Sequence, residues 1–311
     1  MFKLVEKPRC PHRISVGGIF ICYNKNMNQF ESNTRTMEKP GGVLQRMLAL
    51  QSSEVNDRVK NEYGLNELLS SDASLDPKGY GEIYSSDEMK AHRDIVKEDE
   101  IKFSGAHSPN TQANYKTQYN IDTEEGIIKK WKENKNRDKS GRMEMAVTSL
   151  LSQKLGKDFL VVRTAPYDDY KHGVDNLIID LKTGQVVGAF DEVHENGDLK
   201  RTKEKKDKIQ TSAKYGGVKI VYGLKLENGK LVRAPLSGIP KFYLSLGTKQ
   251  LEALEQGLGN NNKEKTDEIF KLLLDSLEAQ CDELKEHTNI KDFHVKLDSF
   301  KKTINAIISY E

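Results

Sequence analysis

Two apolar runs, residues 173–180 and 186–194, stand on either side of Lys182-Thr183-Gly184-Gln185, and this spacing constrains the fold more than any other feature of the chain. Short runs rich in β-branched and aromatic residues, joined by a Gly-containing turn, pair as an antiparallel hairpin. A third apolar run, residues 158–163, precedes them, so three strands are expected in succession. Helical periodicity flanks the set. Before it, Met143, Val147, Leu150, Leu151 and Leu155 recur on one side of residues 140–155, with Ser140 in place to cap the helix. After it, a Lys-rich helix over residues 200–215 is stopped by Gly216-Gly217. Strands are then expected at residues 218–226, 231–233 and 241–246. The order helix, three strands, helix, strand specifies an α/β fold with a mixed sheet.

The flanking regions read differently. Residues 1–135 are polar and loosely organised, with one helix expected around Val43, Leu44, Met47 and Leu48 after Pro40-Gly41-Gly42. The longest apolar stretch, residues 14–23, contains two glycines and is far shorter than the roughly 20 residues that cross a bilayer. It is expected as a buried strand. Residues 251–311 carry Phe270, Leu273, Leu277 and Leu284, then Phe293, Leu297, Phe300, Ile304 and Ile307, at helical spacing. They should form an antiparallel helical hairpin, with core packing first and a homodimer contact second. The three parts are thus 1–135, 136–250 and 251–311. Cys10, Cys22 and Cys281 have no metal-type spacing and leave one over, which fits a reducing cytoplasm.

Acidic residues break the apolar hairpin where it should be most buried. Asp175 sits inside the second strand, and Asp191-Glu192 interrupts the third. Burying a charge costs several kcal/mol unless it is paired. A tight turn at Thr183-Gly184 puts Asp175 opposite Glu192, and a register shifted by one puts it opposite Asp191. Either way two carboxylates meet on one face, and they repel unless a proton or cation lies between them. Hard oxygen donors suit Mg²⁺ or Mn²⁺. Glu144 lies at the edge of the apolar face of the preceding helix, and Lys205 and Lys206 lie on the following one, at helical spacing from Ile209 and Ala213.

This element order, with these acids, resembles the PD-(D/E)XK nuclease superfamily over residues 138–233. The resemblance implies a restriction-endonuclease-like core and metal-dependent hydrolysis of phosphodiester bonds in DNA or RNA. By position, Glu144 matches the family's helix acid, Asp175 its strand Asp, and Asp191 or Glu192 the acid of its third strand; these would be the metal ligands. The family's strand lysine is missing, because Val193 and His194 occupy the positions two residues on. Lys206, with Lys205 second, is the expected replacement from the helix. Residues 200–214 carry seven basic side chains against Glu204 and Asp207, a local excess in a chain of net charge +2, and are the expected nucleic-acid contact. The missing strand lysine and the near-neutral balance point to the alternative, a catalytically inactive nuclease-fold module that binds nucleic acid or a protein partner.

Overall fold

The computed structural model describes residues 13–16, 19–22, 41–195 and 199–310. The chain divides into two units, Met1–Glu38 and Lys39–Glu311. In the first, β1 (Arg13–Val16) pairs antiparallel with β2 (Ile19–Cys22), Val16 opposite Ile19. The run expected as one strand is therefore two. Its expected burial, like Cys10, lies outside the described residues.

Residues 42–135, where one helix was expected, contain four: α1 (Gly42–Tyr63), α2 (Ser86–Ser104), α3 (Pro109–Tyr119) and α4 (Glu124–Lys135). Local signals start them. Ser85 and Glu88 form a reciprocal capping box at α2, and Thr123 accepts from the Gly126 N–H at α4. Apolar stripes are thin, since α3 buries no residue and α4 buries only Ile127 and Ile128. The link between α1 and α2 joins the sheet. Arg163 N–H donates to Ala73 O and Leu75 N–H to Arg163 O, both at 2.9 Å.

Helix α5 (Lys139–Leu155) is capped by Asp138, whose Oδ1 accepts from Gly141 N–H at 2.8 Å, so the expected Ser140 cap moves two residues back. Then come β3 (Phe159–Arg163), the short helix α6 (Pro166–His172), β4 (Asn176–Asp180) and β5 (Val186–Glu195). In the β4–β5 turn, Gly184 adopts φ +71°, and a Cβ there would lie 2.2 Å from Leu226 Cβ, so only glycine fits. Helix α7 (Leu199–Lys214) leads to β6 (Val218–Glu227), β7 (Lys230–Ile239) and β8 (Lys241–Gly247). The main sheet runs β3-β4-β5-β8, antiparallel until β8 joins β5 in parallel. The fourth sheet strand is therefore β8, and not residues 218–226 as the sequence implied. The reason is local: Asn228 and Gly229 both adopt positive φ, which closes β6 onto β7 as a separate hairpin.

That hairpin helps cover one face of the sheet. Leu160, Val162, Leu177, Ile179 and Ala189 pack there with Ile220, Tyr222 and Leu224. The opposite face, with Val161, Ile178, Phe190 and Phe242, packs against α5 and the C-terminal helices α8 (Thr248–Gly259), α9 (Lys263–Glu286) and α10 (Lys291–Tyr310). The apolar stripes of α9 and α10 are consumed in this core, as core packing required; α8 was not expected. No helix among the described residues is long and apolar enough to cross a membrane.

Candidate active site

The β4–β5 ladder decides which acids meet. Ile179 pairs with Val186, but after a bulge Ile178 pairs with Gly188 and Asn176 with Phe190. Asp175 N–H donates to Phe190 O at 2.8 Å, which continues the shifted register and sets Asp175 beside Asp191. Residues two apart on a strand share a face. Lys241 is in register with Ala189, so Lys241, Asp191 and Asp175 share one face of the sheet. Glu192 lies on the other with Asn176 and α5.

Around Asp191 two lysines converge. Lys205 from α7 forms an ion pair with Oδ1, and Lys241 Nζ lies 3.2 Å from Oδ2 while donating to His172 O at 3.1 Å. Lys241 is only 6% exposed. Gly173, at φ +59°, makes room for it, because a Cβ there would sit 3.2 Å from its Nζ. On the other side of the strand, Glu144 is buried and receives Arg163 Nη2 at 3.0 Å, with Lys135 Nζ at 3.8 Å. Asn176 Nδ2 donates to Glu192 Oε1 at 2.8 Å and lies 3.0 Å from Thr148 Oγ1. Asp175 Oδ2 accepts from the Glu192 backbone N–H at 2.7 Å and so bridges the two sides.

These neighbours divide the acids by protonation state. Burial, reinforced by the Asp175 charge, pushes Glu192 well above the ordinary glutamate range. Burial and Asp175 also raise Glu144 and Asp191, against the opposing pull of Lys135 and Arg163 on the first and of Lys241 and Lys205 on the second. Burial would raise Asp175 too, but its hydrogen bonds with Glu192 and the Lys205 charge outweigh it and leave the group lowered. Asp175 is the carboxylate that stays ionised, and Glu192 is the one that holds a proton. No other donor reaches the buried Glu192 Oε2, which leaves the proton to bond it to Asp175. A cation between the two carboxylates could take that proton's place.

Among the described residues, no three His, Cys, Asp or Glu side chains are grouped to hold a metal ion by themselves. A Mg²⁺ site asks for less, since one or two carboxylates complete their shell with water and phosphate oxygens. Asp175 and Asp191 offer two carboxylates on one face for it, with both Asp191 oxygens already held by lysines.

Two cavities open onto the cluster. One, of about 520 Å³, meets Asp191, Lys205 and Lys241 and is rimmed by Lys171, Lys208 and Lys219. The other, of about 180 Å³, meets Asp175 and Asp169 with Lys132, Lys135 and Arg163. Both touch Tyr170.

Of the residues expected from sequence, Glu144, Asp175, Asp191, Glu192 and Lys205 come together. Lys206 does not: its Nζ lies 5.4 Å from the Tyr243 ring centroid, and a hydrogen bond with Tyr243 raises its pKa. One residue along α7, a rotation of about 100°, is enough to reverse the order of the two lysines. Tyr215 is 82% exposed at the larger cavity, whereas Tyr222 is buried. The Asp168-Asp169 pair splits its duties. Asp168 accepts from the Val221 and Tyr222 N–H groups of β6 and anchors α6, while Asp169 turns toward Lys135. Lys241, Arg163 and Lys135 were missed. The one available signal was a lysine opening an apolar strand directly after Pro240.

The chain matches no family model, no curated protein and no solved structure.

Proposed function

We propose that the chain hydrolyses phosphodiester bonds of DNA or RNA with the help of Mg²⁺ or Mn²⁺, in the manner of the PD-(D/E)XK superfamily. The observation that carries this reading is the grouping of Asp175, Asp191 and Glu192 at the β4–β5 ladder, with Asp175 facing the smaller and Asp191 the larger of two lysine-rimmed cavities. The sequence α5, three antiparallel strands, α7 and a parallel final strand supports it, with the β6–β7 hairpin inserted before that last strand. Asp175 and Asp191 would hold the metal, Glu192 would join on losing its proton, and Glu144 would assist through a water. Bound there, the ion would polarise the phosphoryl oxygen and so favour attack by water. Lys241 and Lys205 supply fixed positive charge where negative charge builds on the attacked phosphate. Lysines of the larger cavity hold the backbone without reading sequence.

The test is cleavage of single- and double-stranded DNA and RNA with Mg²⁺, Mn²⁺ or EDTA. Metal-dependent cleavage lost in Asp175→Ala supports the proposal; activity that is unchanged in that variant overturns it. One observation favours a second reading. Asp191 already has two lysine partners, and Glu144 has an arginine with a lysine nearby, so the cluster is nearly charge-balanced by protein groups alone. A binding module with that balance would retain oligonucleotides and cleave none.

A further inference from the structure

The smaller cavity at Asp175 has a neighbour. Glu100 and Pro166 line both it and a third, apolar cavity of about 190 Å³ between α2 and α6. Its walls are rings. His92 and Tyr167 lie 4.3 Å apart with an interplanar angle of 39°, and Tyr222 stands edge-on to both, at 5.6 and 6.2 Å. Burial lowers the His92 pKa, so at neutral pH its imidazole is an uncharged ring. Val96 closes the lining, and Arg93 and Lys97 stand exposed at the rim. Ligand pockets for drug-sized molecules run roughly 300–1,000 Å³, so this one suits a single planar ring.

We infer that this pocket takes one unpaired nucleobase of the strand whose backbone passes Asp175, an assignment that rests on the nucleic-acid reading above. Three observations converge on that occupant. The pocket adjoins the Asp175 cavity across Glu100 and Pro166, so the base of a nucleotide near the reacting phosphate can lie beside it. The path between them carries Lys132, paired with Glu100, and Lys135, beside Asp169, and the rim carries Arg93 and Lys97, so cations of the sign that phosphates require stand among the acids. The lining offers ring faces and hydrocarbon, which stack any base and discriminate little among them. A base inside it cannot be paired to a complement. The enzyme's substrate is therefore single-stranded, frayed or distorted at that nucleotide.

The test reads affinity separately from cleavage. Single-stranded DNA and RNA oligonucleotides, each with one abasic position moved along the strand, are titrated by fluorescence anisotropy with Ca²⁺ in place of Mg²⁺. Stacking of one base on aromatic side chains supports an expected loss of about 5- to 100-fold at one position only. The loss should vanish in Tyr167→Ala, which removes a wall, and in Val96→Trp, which fills the pocket and keeps the wall; both should bind the intact strand as weakly as wild type binds the abasic one. Circular dichroism checks that each variant is folded. A loss spread evenly over all positions, or a single-position loss that survives in both variants, overturns the pocket. Cleavage of the same strands in Mg²⁺ separates the two ideas: cleavage without a position effect removes the pocket alone, and a position effect without cleavage removes the nuclease alone.

Discussion

Phe190 and Asp191 are neighbours on one strand, yet they belong to opposite kinds of interior. Phe190 joins Phe242 and Phe300, whose rings stack 4.2 Å apart at 17°, and this end of the sheet is held by burial of aromatic surface. One residue on, Asp191, Glu192 and Asp175 are buried or half-buried among lysines, where desolvation works against the fold. The aromatic end stabilises without chemistry. The carboxylate end, where the proposed chemistry lies, is desolvated at a cost to stability. A residue that breaks the apolar pattern of a strand without a solvent-facing reason marks the second kind of interior.

This contrast can be broken in order of effect. Asp175→Ala should reduce metal-dependent cleavage about 1,000-fold, equal to about 4 kcal/mol in the barrier, and leave the urea midpoint close to wild type. A large fall in that midpoint together with unchanged cleavage would reverse the roles of the two ends. Phe300→Ala should do the opposite, losing about 3–4 kcal/mol in equilibrium unfolding while the folded fraction cleaves normally. Asp168 separates structural burial from the site. Burial pushes its pKa up to about 6, even though it accepts two backbone N–H groups. A raised carboxylate contributes stability that is complete below its unfolded value of 3.8 and is lost as pH rises through about 6. On the order of 3 kcal/mol is at stake, and a carboxyl ¹³C titration midpoint near 4 would refute it. Lys241→Met should slow cleavage about 10- to 100-fold, with Lys205→Met equal or smaller because Lys205 is less buried. Lys206→Ala should change stability by about 1 kcal/mol at most and cleavage by less than twofold, since a half-buried cation–π contact and a hydrogen bond with Tyr243 are what it loses. A larger cleavage effect for Lys206 than for Lys205 would restore the order expected from sequence.

The helices show the same division between what a sequence displays and what it does not. In α9 and α10 the apolar stripes were visible because core contact is written at a period that a chain can be read for, from Phe270 to Ile304. In α2, α3 and α4 few side chains reach a core, and the helices are specified by caps such as Ser85 with Glu88 and Thr123. Such signals are short and polar, and they resemble loop sequence. Distance along the chain hid the rest. Lys241 reaches Asp191 only because β8, and not β6, is the strand parallel to β5, and this follows from the Asn228-Gly229 turn folding β6 away. Lys135 and Arg163 reach Glu144 from α4 and β3, neither of which carried an acidic or motif-like signature.

The hairpin, its turn and the misplaced acids were determined locally, because alternation, turn residues and the cost of burying charge act within a few residues of one another. Tertiary structure decided the rest: the one-residue bulge that set Asp175 beside Asp191, the choice of Lys205 over Lys206, and the arrival of Lys241. Each depends on register or on which strand fills the next place in the sheet. Register and the place of β8 beside β5 are settled by packing between segments far apart in the chain, even though a local turn, Asn228-Gly229, first folds β6 away.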